Sequence, residues 1–206
     1  MPRPWEIPLA RGSASRPRRR YLIVAEDSKS GLDYLRAFPI SPVVQIESEG
    51  GAGNTISVVE RALELREEAL RFRKPYARVW CVIDRDDHPM ERYRRAFEVA
   101  RSFSDVTVIW ANECFELWYL LHFCYRDTRI GRMDLRRELV RRDRLNRPYD
   151  KADKEVFAVL QGRVEVAIRN ARRLLQSNPS PDTNPSTNVH ELVEQLLRLK
   201  DAISEP

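Results

Sequence analysis

Short apolar runs ending in polar clusters alternate with stretches of helical periodicity through the first half of the chain. The first run, Tyr21-Leu22-Ile23-Val24-Ala25, ends at Glu26-Asp27-Ser28-Lys29-Ser30. Its length and composition fit a strand buried on both faces of a parallel sheet. A helix is predicted over residues 29–37, and a second strand at Val43-Val44-Gln45-Ile46. The loop Glu49-Gly50-Gly51-Ala52-Gly53-Asn54 opens a long helix, with Ile56, Val59, Leu63 and Leu70 at helical spacing and Asn54 or Thr55 as N-cap. The third strand, Arg78-Val79-Trp80-Cys81-Val82-Ile83, ends at Asp84-Arg85-Asp86-Asp87-His88-Pro89. A helix over residues 90–103 and a fourth strand, Val106-Thr107-Val108-Ile109-Trp110, follow. This βαβ alternation predicts an α/β fold with a Rossmann-like, mostly parallel four-stranded sheet flanked by helices. Right-handed crossovers bring the carboxyl ends of the strands to one edge, where open α/β sheets bind ligands.

Beyond residue 112 the pattern is helical. Residues 113–124 are nearly all apolar and predict a buried helix; residues 132–145, 151–161, 163–176 and 187–200 predict four more. In the last of these Val189, Val193, Leu196 and Leu197 point inward. A turn-rich stretch, Ser177 to Pro185, separates the final two helices. The expected organisation is a flexible basic arm (1–19), an α/β core (20–125) and a helical extension (126–206) packed on it.

Charge changes this picture in two places. Residues 1–20 hold six arginines against Glu6, a local +5 that equals the net charge of the whole chain. Residues 129–147 hold eight arginines against three acids, again +5. Arg137 and Arg141, four apart, are expected to share a helix face and contact a phosphate backbone; a solvated helix face is the bland alternative. No RRM, zinc-finger or helix-turn-helix pattern points to sequence-specific binding. Three cysteines without a CxxC pair read as reduced core thiols, which implies a cytoplasmic protein. No segment has the apolar length of a membrane span.

The chemistry concentrates where strands end. Glu26 follows the first strand; Asp84 and Asp86 follow the third and alternate to the same side. Converging carboxylates repel one another and lose hydration unless a cation balances them. Oxygen-only donors suit Mg²⁺ or Mn²⁺, which contact phosphate oxygens. A lone aspartate there would read as the cap of a helix starting near Pro89; the company of Glu26 favours metal. A haloacid-dehalogenase-type phosphatase would carry its DxD after the first strand, not the third. The observed order resembles the Toprim domain of topoisomerases, primases and overcoming-lysogenization-defect nucleases.

The strings Leu22 to Glu26, Gly50-Gly51-Ala52-Gly53, Val79 to Pro89, Ala111 to Phe123, Tyr149-Asp150-Lys151 and Asn184 to His190 together resemble the RloB-like family. The resemblance implies a Toprim-like fold and a metal-dependent nuclease of bacterial phage-defence loci, often encoded beside an ATPase partner. It assigns Glu26 as metal ligand or general acid/base, and Asp84 and Asp86 as the metal-binding pair. The family usually has glycine after the first acid, where this chain has Asp27. A non-catalytic binding or regulatory subunit and a nucleotidyl-transfer enzyme are the alternatives, and a homodimer stays open.

Glu116 lies in an apolar stretch, three residues after Glu113. It is either a buried acid paired with an arginine or, as the family string favours, a second metal ligand or a catalytic acid at the substrate site. Asn112 could orient either glutamate, and Lys29 and Lys151 could each neutralise a substrate phosphate. His122 reads as a satisfied core histidine, and His88 as a proton carrier or turn cap. The polar residues before His190 read first as an N-cap cluster.

Overall fold

Alternation along the central strands sorts their side chains onto two faces, and each face is covered by its own helices. The computed structural model describes residues 19–26, 29–40, 43–48, 55–85, 89–150 and 155–204. Strands β1 (Arg20–Ala25), β2 (Val44–Ser48), β3 (Tyr76–Asp84), β4 (Val106–Asn112) and β5 (Ser186–Thr187) form one sheet. Its order is β2-β1-β3-β4-β5. The first four strands run parallel, and β5 is antiparallel to β4. Helices α1 (Lys29–Arg36), α2 (Thr55–Arg71) and α3 (Met90–Ala100) connect the parallel strands. Then come α4 (Glu116–Leu121), α5 (Arg132–Leu139), α6 (Val156–Leu160), α7 (Val164–Ser177) and α8 (Val189–Ser204), with a 3₁₀ turn, Gln161–Arg163, joining α6 to α7.

On one face Leu22, Val24, Val79, Cys81 and Ile83 pack with Val58, Val59 and Ala62 of α2 and Tyr93 and Ala96 of α3. On the other, Ile23, Ala25, Trp80, Val82 and Ile109 pack with Trp118 of α4, Ala167 of α7 and Val193 of α8. The helical half therefore forms the cover of the second sheet face. Full burial of each such aliphatic or aromatic side chain contributes about 1.5–3 kcal/mol. Cys81 and Cys114 are buried free thiols in these layers, and burial pushes the Cys81 thiol up to about 12. Among the described residues no helix is long and apolar enough to cross a membrane.

The helical half departs from its periodicity at two points. The apolar stretch 113–124 yields only the six residues of α4, because i→i−3 bonds bound it. Leu117 N–H donates to the Cys114 carbonyl at one end, and Phe123 N–H to the Leu120 carbonyl at the other. The predicted 132–145 helix stops at Leu139. There Arg144 donates to the Glu138 carbonyl and Leu145 N–H to the Leu139 carbonyl, which ends the helix with fold-back partners. Arg141 thus lies beyond α5, so Arg137 and Arg141 do not share a helical face. In α2, Leu70 is exposed despite its helical spacing.

The fifth strand was not legible as a period, since two residues have none. Side chains define it instead. Thr187 Oγ1 donates to the Trp110 carbonyl, and Asn188 accepts from Trp110 N–H at 2.8 Å while its Nδ2 donates to the Val108 carbonyl at 3.1 Å. Asn188 thus stands in for a strand partner of β4, and the polar residues before His190 bond to the sheet as well as starting α8. Asn188→Ala is expected to cost about 2 kcal/mol, read as a lower urea midpoint at unchanged m-value.

Candidate active site at the carboxyl edge of the sheet

Strands β1, β3 and β4 end together because their registers align. Ala25 pairs with Val82, and Asp84 with Ala111. Glu26 N–H donates to the Val82 carbonyl at 3.4 Å and Arg85 N–H to the Ala111 carbonyl at 3.0 Å, which extends the ladders past the strand ends. Glu26, Asp84 and Asn112 are therefore neighbours on one edge. Asp84 is 4% exposed and Asn112 3%, whereas Glu26 is only partly buried. Tyr93 of α3 reports their shared field. Burial pushes its phenol far up, and the carboxylates of Asp84, Asp182 and Glu26 push it further, against Arg85. The Arg85 guanidinium lies 5.6 Å from the Tyr93 ring centroid.

The loop between α7 and β5 forms the opposite wall. Asn112 Nδ2 donates to the Pro181 carbonyl at 2.9 Å, and Tyr93 Oη donates to the same carbonyl at 3.4 Å. Arg94 grips Asp182 through Nε and Nη2 at 3.0 and 2.7 Å. Asn184 Nδ2 donates to Glu113 Oε2 at 2.8 Å and its Oδ1 accepts from Ile130 N–H at 3.0 Å. Between these walls is a cavity of about 490 Å³, lined by Arg85, Asn112, Glu113, Arg129, Asp182 and Asn184 among others. Its mixture of two guanidiniums with carboxylates suits a phosphate held beside a cation.

The donor set at this edge is all oxygen, which fits a hard divalent ion. Among the described residues no three carboxylate, imidazole or thiol side chains gather closely enough to hold one. Glu26 and Asp84 are described; Asp86, the third expected ligand, lies outside the described residues, as do Asp27, His88 and the glycines at 50, 51 and 53. Lys29 opens α1, just past the β1 edge, and Lys151 lies outside the described residues.

Glu116 and Glu113 part company. Glu113 precedes α4 and lines the edge cavity, whereas Glu116 begins α4 and is fully buried. Tyr149 Oη donates to Glu116 Oε1 at 3.1 Å, and Arg136 Nε lies 3.9 Å from the same oxygen. Arg137 bonds to Asp134 at 3.0 Å and Arg141 to Asp143 at 3.4 Å, both on the surface of the α5 region.

His122 is tied into the aromatic core. Its Nδ1 is 2.9 Å from the Trp118 carbonyl and its Nε2 3.3 Å from Tyr34 Oη. Burial lowers its pKa from 6.5 to about 4, so the imidazole is neutral. The unfolded chain binds the proton first as pH falls, so this group's contribution to stability is complete above about 6.5 and is lost towards 4. His122→Leu is expected to flatten the fall in unfolding free energy across that window by up to about one proton, measured by urea titrations at several pH values.

Arg85, Tyr93 and Asp182 join the edge without having been singled out in the sequence, and Arg129 joins it from the arginine-rich stretch 129–147. Arg85 sits inside the Asp-Arg-Asp string and was findable there. Asp182 reaches the edge through the loop between α7 and β5, and Arg129 through the connection between α4 and α5, which sequence separation hides. No curated protein and no solved structure matches the chain significantly. The model of the RloB-like protein family, however, matches residues 21–196, from β1 into α8, and the chain belongs to that family.

Proposed function

We propose that the chain is a Toprim-like, metal-dependent phosphodiesterase acting on nucleic acid, working in phage defence with an ATPase partner. The observation that carries this reading is the meeting of Glu26 and Asp84 on one sheet edge beside a cavity lined by Arg85 and Arg129. Glu26, Asp84 and Asp86 would hold Mg²⁺ or Mn²⁺, which when bound supplies an acidified water and neutralises charge on the phosphate. Arg85 and Arg129 hold the phosphodiester against the edge. Asn112, 3% exposed and bonded to the Pro181 carbonyl, fixes the distance between β4 and the loop that carries Asp182 and Asn184. Phage defence and the ATPase come from the family resemblance, and no side chain encodes them.

The test is cleavage of single- and double-stranded DNA and RNA with Mg²⁺ or Mn²⁺, alone and with the ATPase. Metal-dependent cleavage that disappears in Glu26→Gln is the expected result. The competing reading, a binding subunit without catalysis, is favoured by Asp27 standing where the family usually has glycine. A side chain at that turn can crowd a phosphate. Nucleic-acid binding without cleavage under every one of these conditions would overturn the enzymatic reading in its favour.

A further inference from the structure

The opposite end of the same strands carries a second cavity, about 350 Å³ in volume. Its floor is the sheet face at the starts of β1, β3 and β4, with Tyr21, Trp80 and Thr107; its rim is Arg19 and Arg78, and Glu191 and Gln195 of α8 face them. Tyr21 is five residues from Glu26, about 16 Å along an extended strand, so this cavity is remote from the acidic edge.

The floor and rim differ in chemistry. Tyr21 and Trp80 stack at 5.7 Å with 16° between their planes. Trp80 is 5% exposed, so it backs the partly buried Tyr21 ring, and Tyr21 is the aromatic surface available to a ligand. Arg78 is exposed and donates to the Ser104 carbonyl at 3.2 Å, which anchors its guanidinium at the rim. Glu191 is held by Asn188 Nδ2 at 3.3 Å and, with Gln195, offers hydrogen-bonding groups opposite the cations. In the sequence Arg16 and Arg18 lie within three residues of Arg19.

We infer that this cavity is a binding site for single-stranded nucleic acid, separate from the acidic edge. A base stacks on Tyr21, its polar rim meets Glu191 and Gln195, and the flanking phosphates meet Arg19 and Arg78. An aromatic ring beside guanidiniums favours an unpaired strand, because a duplex keeps its base faces covered. A purely polyanionic partner would not call for Tyr21 or tolerate Glu191.

Binding of short labelled DNA and RNA strands is measured by fluorescence anisotropy in EDTA. Cleavage then cannot intervene, and failure of this site is distinguishable from failure of the nuclease reading. Tyr21→Ala is expected to weaken single-strand binding about tenfold, Tyr21→Phe to preserve it, and duplex binding to change little in either. Gln195→Trp, a surface change that fills the cavity from α8, is expected to give the same loss without touching the strands and carries the test if Tyr21→Ala does not fold. Arg78→Ala should weaken binding and reduce its salt dependence. The inference is overturned if the wild type does not bind single strands. It is also overturned if the folded Tyr21→Ala and Gln195→Trp variants bind them normally, or if duplex affinity falls in parallel.

Discussion

Asp84→Asn is expected to reduce the proposed metal-dependent cleavage by at least about a hundredfold while leaving the fold intact. Asparagine keeps the volume of the side chain and can still accept hydrogen bonds, so the ladder to Ala111 and the burial of the site are preserved. The change removes one negative charge at the point where Asp84 and Glu26 both act on Tyr93. Two readouts separate the lost ligand from a damaged fold. Thermal unfolding in EDTA should match the wild type. The rise in Tm on adding Mg²⁺, which reports binding to the native state, should be present in the wild type and absent in the variant. A variant that keeps both the Mg²⁺-dependent rise and the cleavage would remove Asp84 from the site.

The sheet was legible because its signals are local. The two central parallel strands β1 and β3 carry contiguous apolar runs, and both faces are covered there, so Leu22-Ile23-Val24 and Cys81-Val82-Ile83 show no polar alternation to confuse the reading. The strand ends are legible for the same reason, and they place Glu26 and Asp84 at the edge. What the sequence could not show depends on contacts across long separations. Ser186 and Thr187 become a strand only because β4 offers them partners far earlier in the chain, Asn112 for Ser186 and Ala111 for Thr187. Apolar composition likewise predicted a long helix at 113–124, but being buried does not require being helical, and Glu113 and Cys114 serve the turn out of β4. The arginine-rich stretch misled in the opposite sense. Arg144 reads as another surface cation, yet it closes α5 by bonding to the carbonyl of Glu138 and to its carboxylate.

Glu116→Ala is expected to destabilise the protein by about 2–3 kcal/mol, for reasons that belong to its partners. The carboxylate is fully buried, accepts from Tyr149 Oη at 3.1 Å and faces Arg136 at 3.9 Å; Arg136 Nε has no hydrogen-bond partner among the described residues. Removing the acid takes the carboxylate away from the Tyr149 hydroxyl and from Arg136 Nε, and leaves a cavity at a fully buried position. Arg136 is 36% exposed, so water recovers part of its charge, and the cost stays below that of breaking a fully buried pair. In a chain of this length the loss corresponds to a fall in Tm of about 4–12 °C. Glu116→Gln retains the acceptor for Tyr149 and should lose less than half as much. The same bond ties α4 to Tyr149, and we propose that Glu116, expected from the sequence to be a catalytic acid, acts at the substrate site by positioning. In Glu116→Gln that role predicts a raised KM for nucleic acid with kcat nearly unchanged. A collapse of kcat at normal stability would instead make Glu116 a participant in the reaction itself.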